Sequence, residues 1–559
     1  MVNDNERGTS MADSSFQREY GHHLVEEVLN GRLTRRELIV RASVMGLSAT
    51  AIGSLLAACG SSGTTATTSP SASAVPAKTG GTLRVTLVPP AAALDPVTMY
   101  DAGAIATVQQ VCEYLAWVEN DLTLRPVLAT SWSSDSTGKV WTFKLRPGVT
   151  FNDGSPFTAD DVVATFERLV NPKSGSSALS NFAGILSPGG TVKVDDTTVE
   201  FHLDRAFVDF PYLVASTNYN AVILPKNYSG NFQKNPVGTG PFMMTSYTPK
   251  QGATFKKNPT YWQKGLPYLD GVQFQFSPED QAQILALQGG SVDMMLSTPY
   301  QGSQALFSNS NITILSTPST QFREVAMRVD KAPFTDKRVR QAIAYCLDRP
   351  ALLKALFNGK GELGNDEIFA PLFPNAPVLP QRAQDYAKAK ALLAAAGHAS
   401  GLTITMTVEE YLEVPQYATL FQAMCKGGGI NAKISLQSQA QYYGSGTNQP
   451  WLQVPMGFTD WAARAIPSQF FLPMLTSKGV WNSSHWKNPE FDKLALQYDA
   501  TLDVATRKQI ATRMATIEQD ETPCIIAYWI DALRATTTKV HGVEANGSEF
   551  LDLTRAFLT

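Results

Sequence analysis

The sequence predicts an α/β protein, and three observations carry the prediction. Short segments with apolar residues at every second position, such as Thr82–Val88 and Trp141–Arg146, read as strands. Other segments repeat apolar residues at i, i+3, i+4 and i+7, as Val339, Ala342, Ile343 and Cys346 do, and read as helices. The two kinds interleave along most of the chain instead of falling into separate blocks. The composition of the 559 residues, 43% hydrophobic and 17% charged, suits a globular protein with room for two or three domains.

The N-terminal segment has a different character. Met1 to Leu33 is polar and charged, and Thr34-Arg35-Arg36-Glu37-Leu38-Ile39 follows it. Val44 to Ala58 is then mildly apolar over about fifteen residues, too short for a bilayer, which needs ~20. A short apolar run behind a basic pair, closed by small residues, is the pattern of an export signal, so residues 1–58 are expected to be one. The Arg-Arg-x-Leu-Ile pattern resembles a twin-arginine signal, and the general export route stays open beside it. Leu56-Ala57-Ala58-Cys59 resembles a bacterial lipobox, which implies cleavage before Cys59 and lipid on its thiol. Residues 59–80 are small, polar and almost uncharged, and are expected to form a flexible tether spanning roughly 25 Å.

Removing the six Arg and seven Asp/Glu of residues 1–58 leaves 40 Lys+Arg against 42 Asp+Glu. That near-neutral balance argues against a nucleic-acid partner, which would want a basic face, and against adhesion to anionic lipid. Cys112, Cys346, Cys425 and Cys524 are widely spaced and no Cys-x-x-Cys occurs. Disulfides and buried free thiols are both open readings.

From Gly81 the elements follow in order. Thr82–Val88 is a strand, Leu94-Asp95-Pro96 a turn, and Ala104–Tyr114 a helix. Trp141–Arg146 is a strand; Pro147-Gly148 turns it toward a short partner, Val149–Phe151. Thr158 with Asp161 three residues on opens a helix with Val162, Val163, Phe166, Leu169 and Val170 on one face. Strands at Thr191–Val194 and Thr198–Leu203 precede a hairpin, Phe242–Tyr247 with Gly252–Lys257. Val272–Phe276 is a strand, Glu279–Leu287 a helix and Arg323–Val329 a strand. Asp336–Phe357 reads as one long helix, and Ala383–Ala396 as another. Thr403–Val408 and Lys433–Leu436 flank a helix at Pro415–Cys425. Helices at Pro489–Ala500 and Ala505–Glu518 and a strand at Cys524–Trp529 complete the series.

No Gly-x-Ser-x-Gly elbow, His-Glu-x-x-His or Walker loop occurs, and the six His are scattered. No catalytic residue, metal ligand or cofactor is expected.

Four motifs stand in order: Pro126–Trp132 with Trp141–Val163, Asn235-Pro-Val-Gly-Thr-Gly-Pro-Phe242 with Lys257–Trp262, Pro333–Ile343, and Leu347-Asp348-Arg349. Together they resemble the solute-binding proteins of peptide-type ABC importers, the dipeptide/oligopeptide-binding family, from about Gly81 to the C-terminus. The resemblance implies a two-lobed periplasmic-binding-protein-like fold. One lobe would be residues 81–320 plus 525–559, with a subdomain inserted at about 125–221, and the other 321–524. It implies a non-enzymatic, monomeric receptor outside the cytoplasm, held to the membrane through Cys59, that passes a peptide-like solute to the importer's permease. The same resemblance places Tyr100, Asp101 and Ala102 on the backbone of an extended peptide. It places Asp460, in Gly457-Phe458-Thr459-Asp460-Trp461, on the peptide's ammonium. The sequence departs from the family pattern at Ala462-Ala463-Arg464-Ala465-Ile466-Pro467, where Arg464 is a candidate for a ligand carboxylate. Trp451, Tyr442, Tyr443 and Trp481 line a pocket or fill a core. The alternatives are the same fold with an oligosaccharide, opine-like compound or metal chelate as solute, and a secreted hydrolase on a similar scaffold.

Overall fold

Two long strands, Ile312–Met327 and Cys524–Thr537, run antiparallel through the middle of an eleven-stranded sheet. The structure, a computed structural model, describes residues 75–444 and 449–559. Early in the pair Ile312 faces Thr537, and late in it Ala326 faces Cys524. The register slips between Thr317 and Gln321 and again between Phe322 and Glu324. Pro318 falls in the first slip, where a missing N–H removes a ladder bond.

On one side of this pair Met456–Trp461 pairs antiparallel with residues 322–327, followed by Leu402–Glu410 and Ile430–Ser438 in parallel. On the other side come Met294–Met295, Thr82–Leu87 and Gly271–Phe276, the last two parallel, and then the hairpin Gly252–Lys257 with Phe242–Thr248. One hydrophobic core draws chiefly on residues 83–296 and 540–556, and a second on residues 325–458 and 525–530. A third joins Ala116, Val118 and Ala215 to Phe322, Trp461 and Phe470.

A separate four-stranded antiparallel sheet holds Ala129–Ser134, Val140–Leu145, Thr198–His202 and Thr191–Asp195, in that order. Helix Ala159–Val170 starts where expected, and the Thr158 N–H donates to Asp161 Oδ2 at 2.8 Å. Residues 149–151 do not pair with strand 140–145. Gly148, at φ 74°, swings the chain away, and Phe151 N–H closes on Ser155 O at 2.8 Å in a tight loop.

The single helix expected over Asp336–Phe357 is two, Lys337–Tyr345 and Arg349–Phe357. Pro350 has no N–H for the carbonyl four residues back, and Asp348 accepts the Ala351 N–H at 3.0 Å, so a new helix begins there. Arg349 is fully buried and reaches both oxygens of Asp366 at 2.7 Å. The Leu347-Asp348-Arg349 motif is therefore a buried residue, a cap and an ion pair.

The four cysteines among the described residues are free and buried. The expected signal, Cys59 and most of the tether lie outside the described residues. No helix of the described residues is long and apolar enough to cross a membrane.

Candidate functional site

A cleft of about 720 Å³ opens where strands from both sides of the sheet end. Thr82–Leu87, Gly271–Phe276 and Met294–Met295 run into it from one side, through Leu87, Val88, Pro278–Gln281 and Leu296–Gln301. Leu402–Glu410 and Met456–Trp461 run into it from the other, through Tyr411–Glu413 and Asp460–Ala462. The carboxyl ends of parallel strands are where open α/β sheets bind ligands. The central strands contribute Gln321, Arg323 and Ile530–Leu533.

Asp460 lies at the end of its strand, opposite Arg323 in the register. Tyr443 donates its hydroxyl to Asp460 Oδ1 at 2.6 Å, and the Asp460 N–H donates to Glu409 Oε1 at 2.8 Å. Burial first, and the Asp460 charge second, push the Glu409 carboxyl up to about 8. Arg323 Nε stands 2.7 Å from Glu413 Oε1, with both side chains 5% exposed. Burial disfavours the guanidinium charge, but Glu413 and Asp460 outweigh it and hold Arg323 above its usual range.

Of the residues singled out in the sequence, Ala102, Asp460 and Trp461 line the cleft. Trp461 donates Nε1–H to Glu324 Oε2 at 2.9 Å and lies parallel to Phe322 at 6.0 Å, which fixes its ring. Tyr100 is 60% exposed and is not part of the lining. Asp101 caps helix Ala102–Gln109 by accepting the Ala104 N–H at 2.9 Å. Phe458 shares a strand face with Asp460 but lies deeper, fully buried against Tyr417 and Phe421. Arg464 borders a neighbouring void of about 30 Å³ that shares Asn546, Gly547 and Ser548 with the cleft. Its backbone N–H donates to Thr320 Oγ1 at 2.8 Å, and burial lowers its guanidinium pKa. Tyr442 and Trp451 are buried, and Trp481 meets the edge of Trp461 at 5.8 Å.

Residues 123–483 match the family model described as bacterial extracellular solute-binding proteins, family 5 middle. The chain belongs to this family. As a family 5 solute-binding protein it serves an ABC importer from outside the cytoplasm, and the relatives found are binding proteins. The glutathione-binding protein GsiB of Escherichia coli K12 is 27% identical over 465 residues, which is 81% of this chain and 89% of GsiB. Solved structures share the fold. DppA of Helicobacter pylori, in complex with the peptide STSA, superposes with a TM-score of 0.68 at 23% identity, covering 86% of this chain and 98% of DppA. AgaA of A. tumefaciens R10, in complex with agropinic acid, does so with 0.67 at 24%, covering 86% and 99%.

Several lining residues were not picked out in the sequence: Glu279, Asp280, Tyr300, Arg323, Glu413, Asp531 and Glu549. A signal for Glu413 was present. Val408-Glu-Glu-Tyr-Leu-Glu413 places three carboxylates at and just past the carboxyl end of a strand, the end where α/β sheets bind. Arg323 and Asp531 sit inside long strands and carry no local mark of a site.

Proposed function

We propose that this chain is a lipid-anchored receptor that takes an amine-bearing, peptide-like solute into the cleft and delivers it to the permease of its importer. Residues 1–58 are the cleaved signal, Cys59 carries the lipid and residues 59–80 are the tether. The lobes, 81–320 plus 525–559 and 321–524, close on the solute as a hinge about the register slip near Pro318. Residues about 125–221 form the inserted subdomain, and the receptor works as a monomer.

The observation that carries this reading is the convergence of strand ends from both sides of the sheet on a cleft lined by Asp460. A carboxylate meeting an ammonium away from water makes a charge-assisted bond roughly twice as strong as a neutral one. The Tyr443 hydroxyl already orients the Asp460 carboxylate, so little ordering remains to be done on binding. The names of relatives agree in kind, since GsiB is named for glutathione and DppA is seen with a peptide.

The test is calorimetric titration of short peptides against the native protein and Asp460→Ala, with free and N-acetylated peptides. Loss of binding on the substitution, matched by loss on acetylation, is expected. Unchanged binding of acetylated peptide to Asp460→Ala would contradict amine capture. A second reading keeps the fold and changes the solute to a small acid. Its support is Arg464, for which no carboxylate partner occurs among the described residues, and the agropinic acid seen in AgaA. Under that reading Arg464→Ala abolishes binding and Asp460→Ala does not.

A further inference from the structure

We propose that the solute of this receptor is a polycation, a molecule carrying more than one ammonium or guanidinium group. The inference rests on the cleft being the solute site, and it deepens that reading by naming the charge of the ligand.

The cleft lining contains six carboxylates, Glu279, Asp280, Glu413, Asp460, Asp531 and Glu549, and one cationic side chain, Arg323. The chain as a whole is nearly balanced, with 46 Lys+Arg against 49 Asp+Glu, so the imbalance is local to the cleft. Arg323 is already committed to Glu413 at 2.7 Å. No Lys or Arg forms an ion pair with Glu279, Asp280, Asp531 or Glu549 among the described residues. Glu549 feels the charge of Arg534, a fully buried residue outside the lining that spends its donors on carbonyls, among them Leu296 O at 2.9 Å and Phe550 O at 3.1 Å. Asp531 has only a hydroxyl, Ser316 Oγ at 2.8 Å.

The carboxylates come from both sides of the cleft. Glu279 and Asp280 follow strand Gly271–Phe276, Asp531 lies in a central strand and Glu549 in the C-terminal segment. Glu413 and Asp460 face them from the other side. With Glu413 paired to Arg323, a monovalent ligand would neutralise one of the other five carboxylates and leave the remainder with no cation in the lining to meet them. A ligand with several separated cations satisfies the set. Burial outweighs a Ser297 hydrogen bond and the Arg534 charge and raises the Glu549 pKa. Tyr300, Phe357, Tyr411 and Trp461 are the aromatic members of the lining.

The test is titration of the full-length chain with trilysine, trialanine, triglutamate and spermidine, at low and high ionic strength. Trilysine or spermidine is expected to bind at least about tenfold tighter than trialanine, with the advantage shrinking as salt rises. The double variant Glu279→Gln/Asp280→Asn, at two exposed positions, is expected to lose most of that advantage. Spermidine binding alone, with no peptide bound, would support the polycation and sink the peptide reading. Trialanine bound as tightly as trilysine would overturn the polycation and leave the peptide reading standing. Binding of triglutamate alone, or of none of the four, would overturn the polycation.

Discussion

Arg323 and Glu413 show how a single pair sets both the stability and the charge of the cleft. Each is almost fully buried, and each is the other's counter-ion. Removing one partner of such a pair typically costs about 3–5 kcal/mol, because the survivor stays charged and unpaired. Glu413→Ala is therefore expected to lower the urea-unfolding free energy by about that amount. Replacing both residues by Leu or Met should cost much less. A single variant within about 0.5 kcal/mol of the native protein would show that the pair is not closed in solution. This pair was illegible in the sequence, because 90 residues separate its members and nothing local to either points to the other. Asp460 was accessible by contrast, since a motif carries it. Its hydroxyl partner Tyr443 was named only as one of several aromatics.

Among the elements, caps and close approaches decide where segments begin and what they tolerate. Asp348 opens helix Arg349–Phe357 by accepting the Ala351 N–H, so Asp348→Ala is expected to cost about 0.5–2 kcal/mol in the same unfolding assay. A neutral result would mean that Pro350 alone starts the helix. In the Asn235–Phe242 loop, a Cβ on Gly238 would stand 2.1 Å from Val111 O, and one on Gly240 2.6 Å from the same atom. Gly238→Ala should destabilise by about 1–3 kcal/mol through overpacking, with unchanged unfolding read as evidence against that contact. These positions explain why the recognised motifs identify the family and say little about its ligand: they are caps, glycine contacts and buried pairs. Most helices and strands were legible from periodicity. The break at Asp348 was not, because Val339, Ala342, Ile343 and Cys346 continue smoothly into Leu352, Leu353 and Leu356 and mask it. Strand Met456–Trp461, which carries Asp460, was missed as an element because it is buried along nearly its whole length and shows no alternation.

For the whole molecule, the sheet order could not be read from the sequence. Among the described residues its two halves meet through strands Ile312–Met327 and Cys524–Thr537, whose pairing partners are some 200 residues apart. That crossover brings strand ends together at the cleft. The molecule also stores buried carboxyls whose proton affinity is raised chiefly by burial: Glu113, Glu324 and Asp499 to about 7, and Glu367 and Glu409 to about 8. As pH rises above the ordinary carboxylate range, the unfolded chain releases these protons while the native state keeps them. The native state thus binds more protons, and stability falls until pH passes the raised values. The urea midpoint is expected to be higher at about pH 5.5 than at about pH 8, and Glu409→Gln should reduce the difference. A flat or rising profile would contradict the assignment. The most direct test of the central claim, that the cleft is a receptor site for an amine-bearing solute, is mass spectrometry of small molecules released by denaturing natively purified protein. The account predicts a stoichiometric, positively charged compound of peptide or polyamine type, absent when Asp460→Ala is purified in the same way. A compound without an amine, or one retained in full by Asp460→Ala, would contradict it.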